Sequence, residues 1–205
     1  MSLEEQVRLF KGWAEKYYPP GKRFGEWEYD YPNWKDLYEL SISAINHIKF
    51  EELSNQEFDN LLYVIARDNE AEYLVEELAA HPEKLLFLSQ KALNSNERDA
   101  KWQLAKQLGF IPEKKEIAEK ILILFVKDSD EYISRMALLA LAEIQSSFTE
   151  EYAIKAWNSN HEYQRIAVLW SFKKINSSKL DFYLNKAYKD GRQYLVQNAE
   201  IIVQI

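Results

Sequence analysis

From Ser54 onward the chain runs as ten consecutive segments with helically spaced apolar residues, separated by polar breaks only a few residues long. Links this short force neighbouring helices to run antiparallel, so the pattern predicts five stacked helical hairpins. The breaks carry the chemistry of helix ends. Ser54 with Glu57 reads as a capping box, Thr149 and Ser178 as N-caps, Pro82 and Pro112 as first helical residues, and Gly109 as a helix stop. The expected helices are 55–67, 69–80, 82–94, 97–108, 112–127, 131–145, 150–158, 161–175, 179–189 and 192–204. Five glycines and five prolines in 205 residues are too few for a sheet-rich fold, which needs a tight turn every few residues. The expectation is therefore an all-α chain.

The hairpins repeat in sequence. Lys101, Arg135, Arg165 and Gln197 hold equivalent places in four successive second helices, at spacings of 34, 30 and 32 residues. Ala137, Ala167 and Ala199 follow two residues after the last three of them. The turns also rhyme, as Asn94-Ser95-Asn96-Glu97, Asp128-Ser129-Asp130-Glu131 and Asn158-Ser159-Asn160-His161. In these residues the chain resembles HEAT repeats, in which an Asp-rich turn precedes a basic residue, an alanine and leucines. The stretch from Asp128 to Leu141 is the closest copy. The resemblance covers roughly residues 55–205 and implies a right-handed α–α superhelix, a single repeat domain in which residues 1–54 form an N-terminal cap. An inner second helix touches neighbours on several sides, and Met136–Ala142 and Ile166–Phe172 are correspondingly apolar nearly all round.

The first fifty residues differ. Leu3–Tyr18 and Trp34–Ile48 read as amphipathic helices, and between them lies the one long loop, Pro19 to Pro32. There Trp27, Tyr29 and Tyr31 alternate with Glu26, Glu28 and Asp30. The alternation fits a short extended stretch with an aromatic and an acidic face; equally, the aromatics could pin the loop across the first hairpin.

Composition narrows the function. The net charge is -7, with 11 Lys/Arg against 20 Asp/Glu in residues 1–100 and 15 against 13 thereafter. Such a chain is a poor general binder of nucleic acid, whose affinity comes largely from neutralised phosphates. Cysteine is absent, which removes disulfides and thiolate chemistry and fits the cytosol. Residues 1–10 do not read as a signal peptide, and no apolar run approaches the ~20 residues of a membrane helix. His47, His81 and His161 are far apart and read as surface or helix-end residues, and Glu77 with His81 gives two ligands without a third, so neither metal nor cofactor is expected. Neither a Gly-x-Ser-x-Gly motif nor a phosphate-binding glycine loop occurs.

Three groups remain as candidate contacts. The row Lys101, Arg135 and Arg165, with Arg98, Lys106, Lys173 and Lys174 as additions, reads either as an anion ladder on a concave face or as a scaffold of local pairs such as Glu97 with Lys101 and Glu131 with Arg135. Trp102, Trp157 and Trp170 read as core, except that the helix of Trp170 already has apolar residues on nearly every side. The aromatic loop, with Phe24, Trp27, Tyr29, Tyr31 and Trp34, reads as a contact surface or a hydrophobic cap.

The expected function is a non-enzymatic scaffold that binds a protein partner through its concave face, its aromatic loop or both. The alternative is a DNA-repair enzyme, because the array also looks like the HEAT-like alkylpurine DNA glycosylases; Asp99 and Trp102 are the pair similar to that family's site. The final helix, 192–204, with Tyr194, Leu195, Val196, Ala199, Ile201, Ile202, Val203 and the following Ile205, suggests an exposed apolar strip and a homodimer or partner contact.

Overall fold

The computed structural model describes residues 2–204, and its regular structure there is entirely helical. Twelve α-helices run in order: α1 Leu3–Tyr17, α2 Trp34–His47, α3 Asn55–Arg67, α4 Tyr73–Ala79, α5 Pro82–Ala92, α6 Arg98–Leu108, α7 Lys115–Phe125, α8 Glu131–Glu143, α9 Thr149–Asn158, α10 Glu162–Lys174, α11 Leu180–Asp190 and α12 Gln193–Gln204. Two short 3-10 turns, Trp27–Asp30 and Phe50–Glu52, lie among the first of them. The chain divides into two compact units, Met1–Leu104 and Ala105–Ile205, with the break inside α6.

In the first unit α1 packs on α2 and α3, and α4 links α2 to α5. The buried residues of α1, Gln6, Val7, Phe10 and Ala14, recur at helical spacing, so one stripe enters the core. Ser54 and Glu57 form the expected reciprocal capping box at α3. The loop before α4 is held differently: Glu72 adopts a left-handed conformation, and the Asp68 carboxylate accepts the Leu74 N–H at 2.7 Å. Arg67 pairs with Glu97 and lies 4.2 Å from the centre of the Tyr63 ring.

In the second unit α10 packs against α8 and α12 as well as against its chain neighbours α9 and α11. Its buried residues, Gln164, Ala167, Val168, Leu169, Ser171 and Phe172, therefore fall on most sides of the helix. Asp130 caps α8 by accepting the Tyr132 and Ile133 N–H groups at 2.9 and 3.2 Å.

Several helix ends differ from expectation. Thr149 is the first residue of α9 rather than its cap; it is buried and its hydroxyl makes no hydrogen bond. Ser178 does not cap α11. The capping hydroxyls come from Ser146 and Ser177, which accept the N–H groups of Phe148 and Lys179. Each follows a left-handed residue, Gln145 or Asn176, and sends its own N–H back to Leu141 or Phe172, closing the preceding helix with a Schellman turn. Pro112 lies outside α7, which starts after the left-handed Lys114. Gly109 does follow a helix, but its φ is not positive: a Cβ there would stand 2.9 Å from Ala140 Cα, so its small size lets α8 approach.

Candidate functional site

Two concave regions carry the candidate residues, one in each unit. In the second unit a groove of about 460 Å³ is lined by Phe110, Met136, Leu139, Ala140, Ala142 and Trp170. Lys106, Lys173, Lys174 and Glu143 border it. α8 and α10 supply most of the floor because they lie side by side. Phe110 is 61% exposed, whereas Met136, Leu139 and Trp170 are half-buried. The Trp170 ring is oriented by its indole N–H, which donates to Asn198 Oδ1 on α12 at 2.8 Å. Glu143 pairs with Lys174, and the charged residues that border the groove are three lysines against this one carboxylate.

In the first unit a cavity of about 290 Å³ is bounded by the aromatic loop, α2 and the α3–α4 link. The stretch from Trp27 to Tyr31 is not an extended strand. It forms a 3-10 turn in which Trp27 and Tyr31, four residues apart, are buried while Tyr29 is 59% exposed. Trp27 and Tyr31 pack with Phe10 and Trp13 of α1, at ring separations of 4.5–6.2 Å, so this part of the loop is the hydrophobic cap of the first hairpin. Trp34 donates its indole N–H to the Glu28 carbonyl at 2.6 Å, tying the loop to α2. Tyr29, Tyr31, Trp34 and Tyr38 remain as aromatic lining of the cavity, and Glu26, Glu28, Asp68 and Glu70 as acidic lining. Burial raises the Glu28 carboxyl above the usual range, against the opposing effect of its own backbone N–H and of Arg67 and Arg23. Burial also raises Asp68, although the Leu74 N–H and the Tyr38 hydroxyl both stabilise its charge.

The basic row is mostly built into the helix packing. Arg135 donates from Nε to Glu131 at 2.9 Å and lies over the rings of Tyr132 and Tyr163. Arg165 donates to the Trp157 carbonyl at 3.1 Å and pairs with Asp190, which Arg192 also grips through two nitrogens. Arg192 reaches on to the Asn160 carbonyl at 2.9 Å, joining the turn after α11 to the turn before α10. Glu97, the partner expected for Lys101, is also the partner of Arg67. Gln197, the fourth member of the row, is exposed. Of the basic candidates, Lys106, Lys173 and Lys174 border the groove; Lys101, Arg135 and Arg165 do not.

The bidentate Arg192 bond, followed by the charges of Arg192 and Arg165, holds the Asp190 carboxyl down at about 2. Because this value is depressed in the folded state, its stabilisation is complete above the ordinary aspartate range and is lost as pH falls from about 4 towards 2. Wild type should therefore lose about 1–2 kcal/mol more than Asp190→Asn between pH 5 and pH 2.5. Denaturant midpoints at the two pH values measure this; equal losses would show that the Arg165–Asp190–Arg192 cluster does not stabilise the fold.

Trp102 is 7% exposed and donates its indole N–H to Asp99 at 3.1 Å, so it presents no open stacking face. Trp157 is buried against Tyr183. Asn46 bonds both Glu77 and His81 through opposite ends of its amide, at 2.9 and 2.6 Å. On α12, Leu195, Ala199 and Ile202 face inward, and Gln193, Gln197, Glu200 and Gln204 form an exposed polar ridge. The exposed Tyr194 and Ile201 lie on one flank of that ridge and Val203 on the other, so the apolar strip expected there is split. Ile205 lies outside the described residues.

No family model, curated protein or solved structure matches the chain.

Proposed function

We propose that the chain is a non-enzymatic interaction scaffold of the HEAT type, and that the groove on α8 and α10 receives an acidic segment of a partner protein with an apolar face. The observation that carries this reading is the composition of the groove: an apolar floor centred on Leu139 and Trp170 beneath Lys106, Lys173 and Lys174. Apolar burial supplies affinity in such a site and the rim charge selects the sign of the partner. The lateral packing of α8, α10 and α12 supports the superhelical reading, in which second helices line the concave side. A homodimer through α12 is the less favoured partner arrangement, because the outward ridge of that helix is polar.

The test is fluorescence anisotropy with two labelled amphipathic helical peptides of equal length, one of Leu and Glu and one of Leu and Lys. The acidic peptide should bind at least tenfold more tightly, and Lys173→Glu with Lys174→Glu should reverse the preference. Leu139→Asp should weaken both peptides. Equal binding of the two peptides, unchanged by the charge reversals, would exclude the groove as the recognition site.

A further inference from the structure

The cavity of the first unit combines two properties that water-facing loops rarely bring together. Its walls are aromatic and rigidly placed. Trp34 stands at 85° to Tyr31 with ring centres 6.4 Å apart, and Tyr38 stacks on Trp34 at 5.2 Å. The Trp34 indole is fixed by the Glu28 carbonyl, and the Tyr38 hydroxyl by the Asp68 carboxylate. Its charge is negative: four carboxylates, Glu26, Glu28, Asp68 and Glu70, line it against one cation, Arg67. That guanidinium is already neutralised by Glu97 and stacked on Tyr63. Arg23, the other cation acting on Glu28, donates to the Tyr18 carbonyl at 2.8 Å and lies over Trp27.

Asp68 is occupied in holding the wall, whereas Glu28 is a half-buried carboxylate to which no other residue donates a hydrogen bond among the described residues. A partly desolvated carboxylate beside aromatic faces attracts a cation twice over, through its charge and through the ring quadrupoles. A cation bound there would offset the burial that now raises the Glu28 carboxyl. The volume, about 290 Å³, lies just below the usual range of ligand pockets, roughly 300 to 1,000 Å³, and suits a side chain or a small amine.

We propose that this cavity binds an organic cation of the alkylammonium type, the group carried by a lysine side chain or by a small free amine. The walls formed by Trp34 and Tyr38 receive the alkylammonium head, Glu28 supplies the counter-charge, and the exposed Tyr29 closes over the occupant. The site uses none of the residues of the groove in the second unit, so the two readings stand or fall separately.

The test follows the indole N–H resonance of Trp34 in the full chain during titration with choline and n-butylamine and with their neutral isosteres, 3,3-dimethylbutan-1-ol and n-butanol. In a parallel arm, a blocked Gly-Lys-Gly peptide is compared with its norleucine counterpart. Saturable shifts from the cations, at least tenfold stronger than from the neutral compounds, are expected. Glu28→Gln should weaken the cation at least tenfold and Tyr29→Ala several-fold, while both variants keep the wild-type melting temperature within a few degrees. Tighter binding of the lysine peptide than of the free amines would assign the cation to a peptide partner, and the reverse would assign it to a small amine. Either result supports the site. Equal response to charged and neutral compounds, no saturable response to any of them, or full cation binding by Glu28→Gln would overturn it.

Discussion

Phe10→Ala is expected to cost about 3–5 kcal/mol of folding stability, the range for removing a fully buried aromatic ring. The Phe10 side chain is completely buried and touches five other rings: Tyr31 at 4.5 Å, Trp34 at 5.3 Å, Trp13 and Tyr63 at 5.8 Å, and Trp27 at 6.1 Å. These rings come from α1, the loop, α2 and α3, so no single element can move inward to fill the space. A cavity bounded by stiff rings on four segments relaxes poorly, which places the cost towards the upper end of the range. The loss should be visible as a lowered denaturant midpoint and as broadened indole resonances of Trp27 and Trp34. Phe10→Leu, which keeps most of the volume, should retain more than half of the lost stability. If Phe10→Ala cost less than about 1 kcal/mol, the aromatic cluster could not be the core that fixes the loop, and the rigid walls assigned to the acidic cavity would lose their support.

The features that were legible in the sequence are those decided by neighbouring residues. The helices were recognisable because their apolar spacing is local, and the Ser54–Glu57 box because both of its hydrogen bonds close within four residues. The loop shows where a local pattern misleads. Alternation of Trp27, Tyr29 and Tyr31 suggests one aromatic face, but the backbone coils, and a spacing of four then buries Trp27 and Tyr31 and turns Tyr29 out. The role of Arg165 depended on Asp190, 25 residues away, and that of Arg67 on Glu97, 30 residues away; neither pairing has a signal at short range. The sequence does carry a signal for two of the helix ends, the recurrence of Ile144-Gln145-Ser146-Ser147 as Ile175-Asn176-Ser177-Ser178. It marks the two Schellman turns, with their left-handed Gln145 and Asn176 followed by a capping serine.

The groove was legible in part. Trp170 stands out in a helix already apolar on nearly every side, and Lys106, Lys173 and Lys174 as basic residues beside the row of second-helix cations. Met136 and Leu139, by contrast, read as ordinary buried residues of an inner helix. They line the groove because α8 packs on α7, α9 and α10 through its other residues and leaves these two only half-buried. The apolar pattern of a helix records that a face avoids water without recording what covers it. A binding floor and a core face are therefore the same in sequence.

Gly109→Val is expected to cost about 3 kcal/mol, near the top of the usual range for overpacking, although residue 109 has an unstrained backbone and sits just past a helix end where many side chains are tolerated. A Cβ at this position would lie 2.9 Å from Ala140 Cα, 3.0 Å from Ala140 Cβ and 3.1 Å from the Lys106 carbonyl oxygen. Two of these three neighbours are backbone, which cannot rotate away as the end of a side chain can. The strain must then be relieved by moving α8, a buried helix that also packs on α7, α9 and α10. A suppressor test separates this cause from a simple loss of glycine flexibility. Ala140→Gly removes one of the two α8 contacts at its own cost of about 1 kcal/mol for a helical glycine. Combined with Gly109→Val, it should therefore destabilise by clearly less than the sum of the single changes, a coupling that independent sites do not show. Strictly additive losses would mean that α8 does not limit residue 109. Because Ala140 also lines the groove between Phe110 and Leu139, Gly109→Val should weaken the acidic peptide as well, in a variant where no groove side chain has been altered.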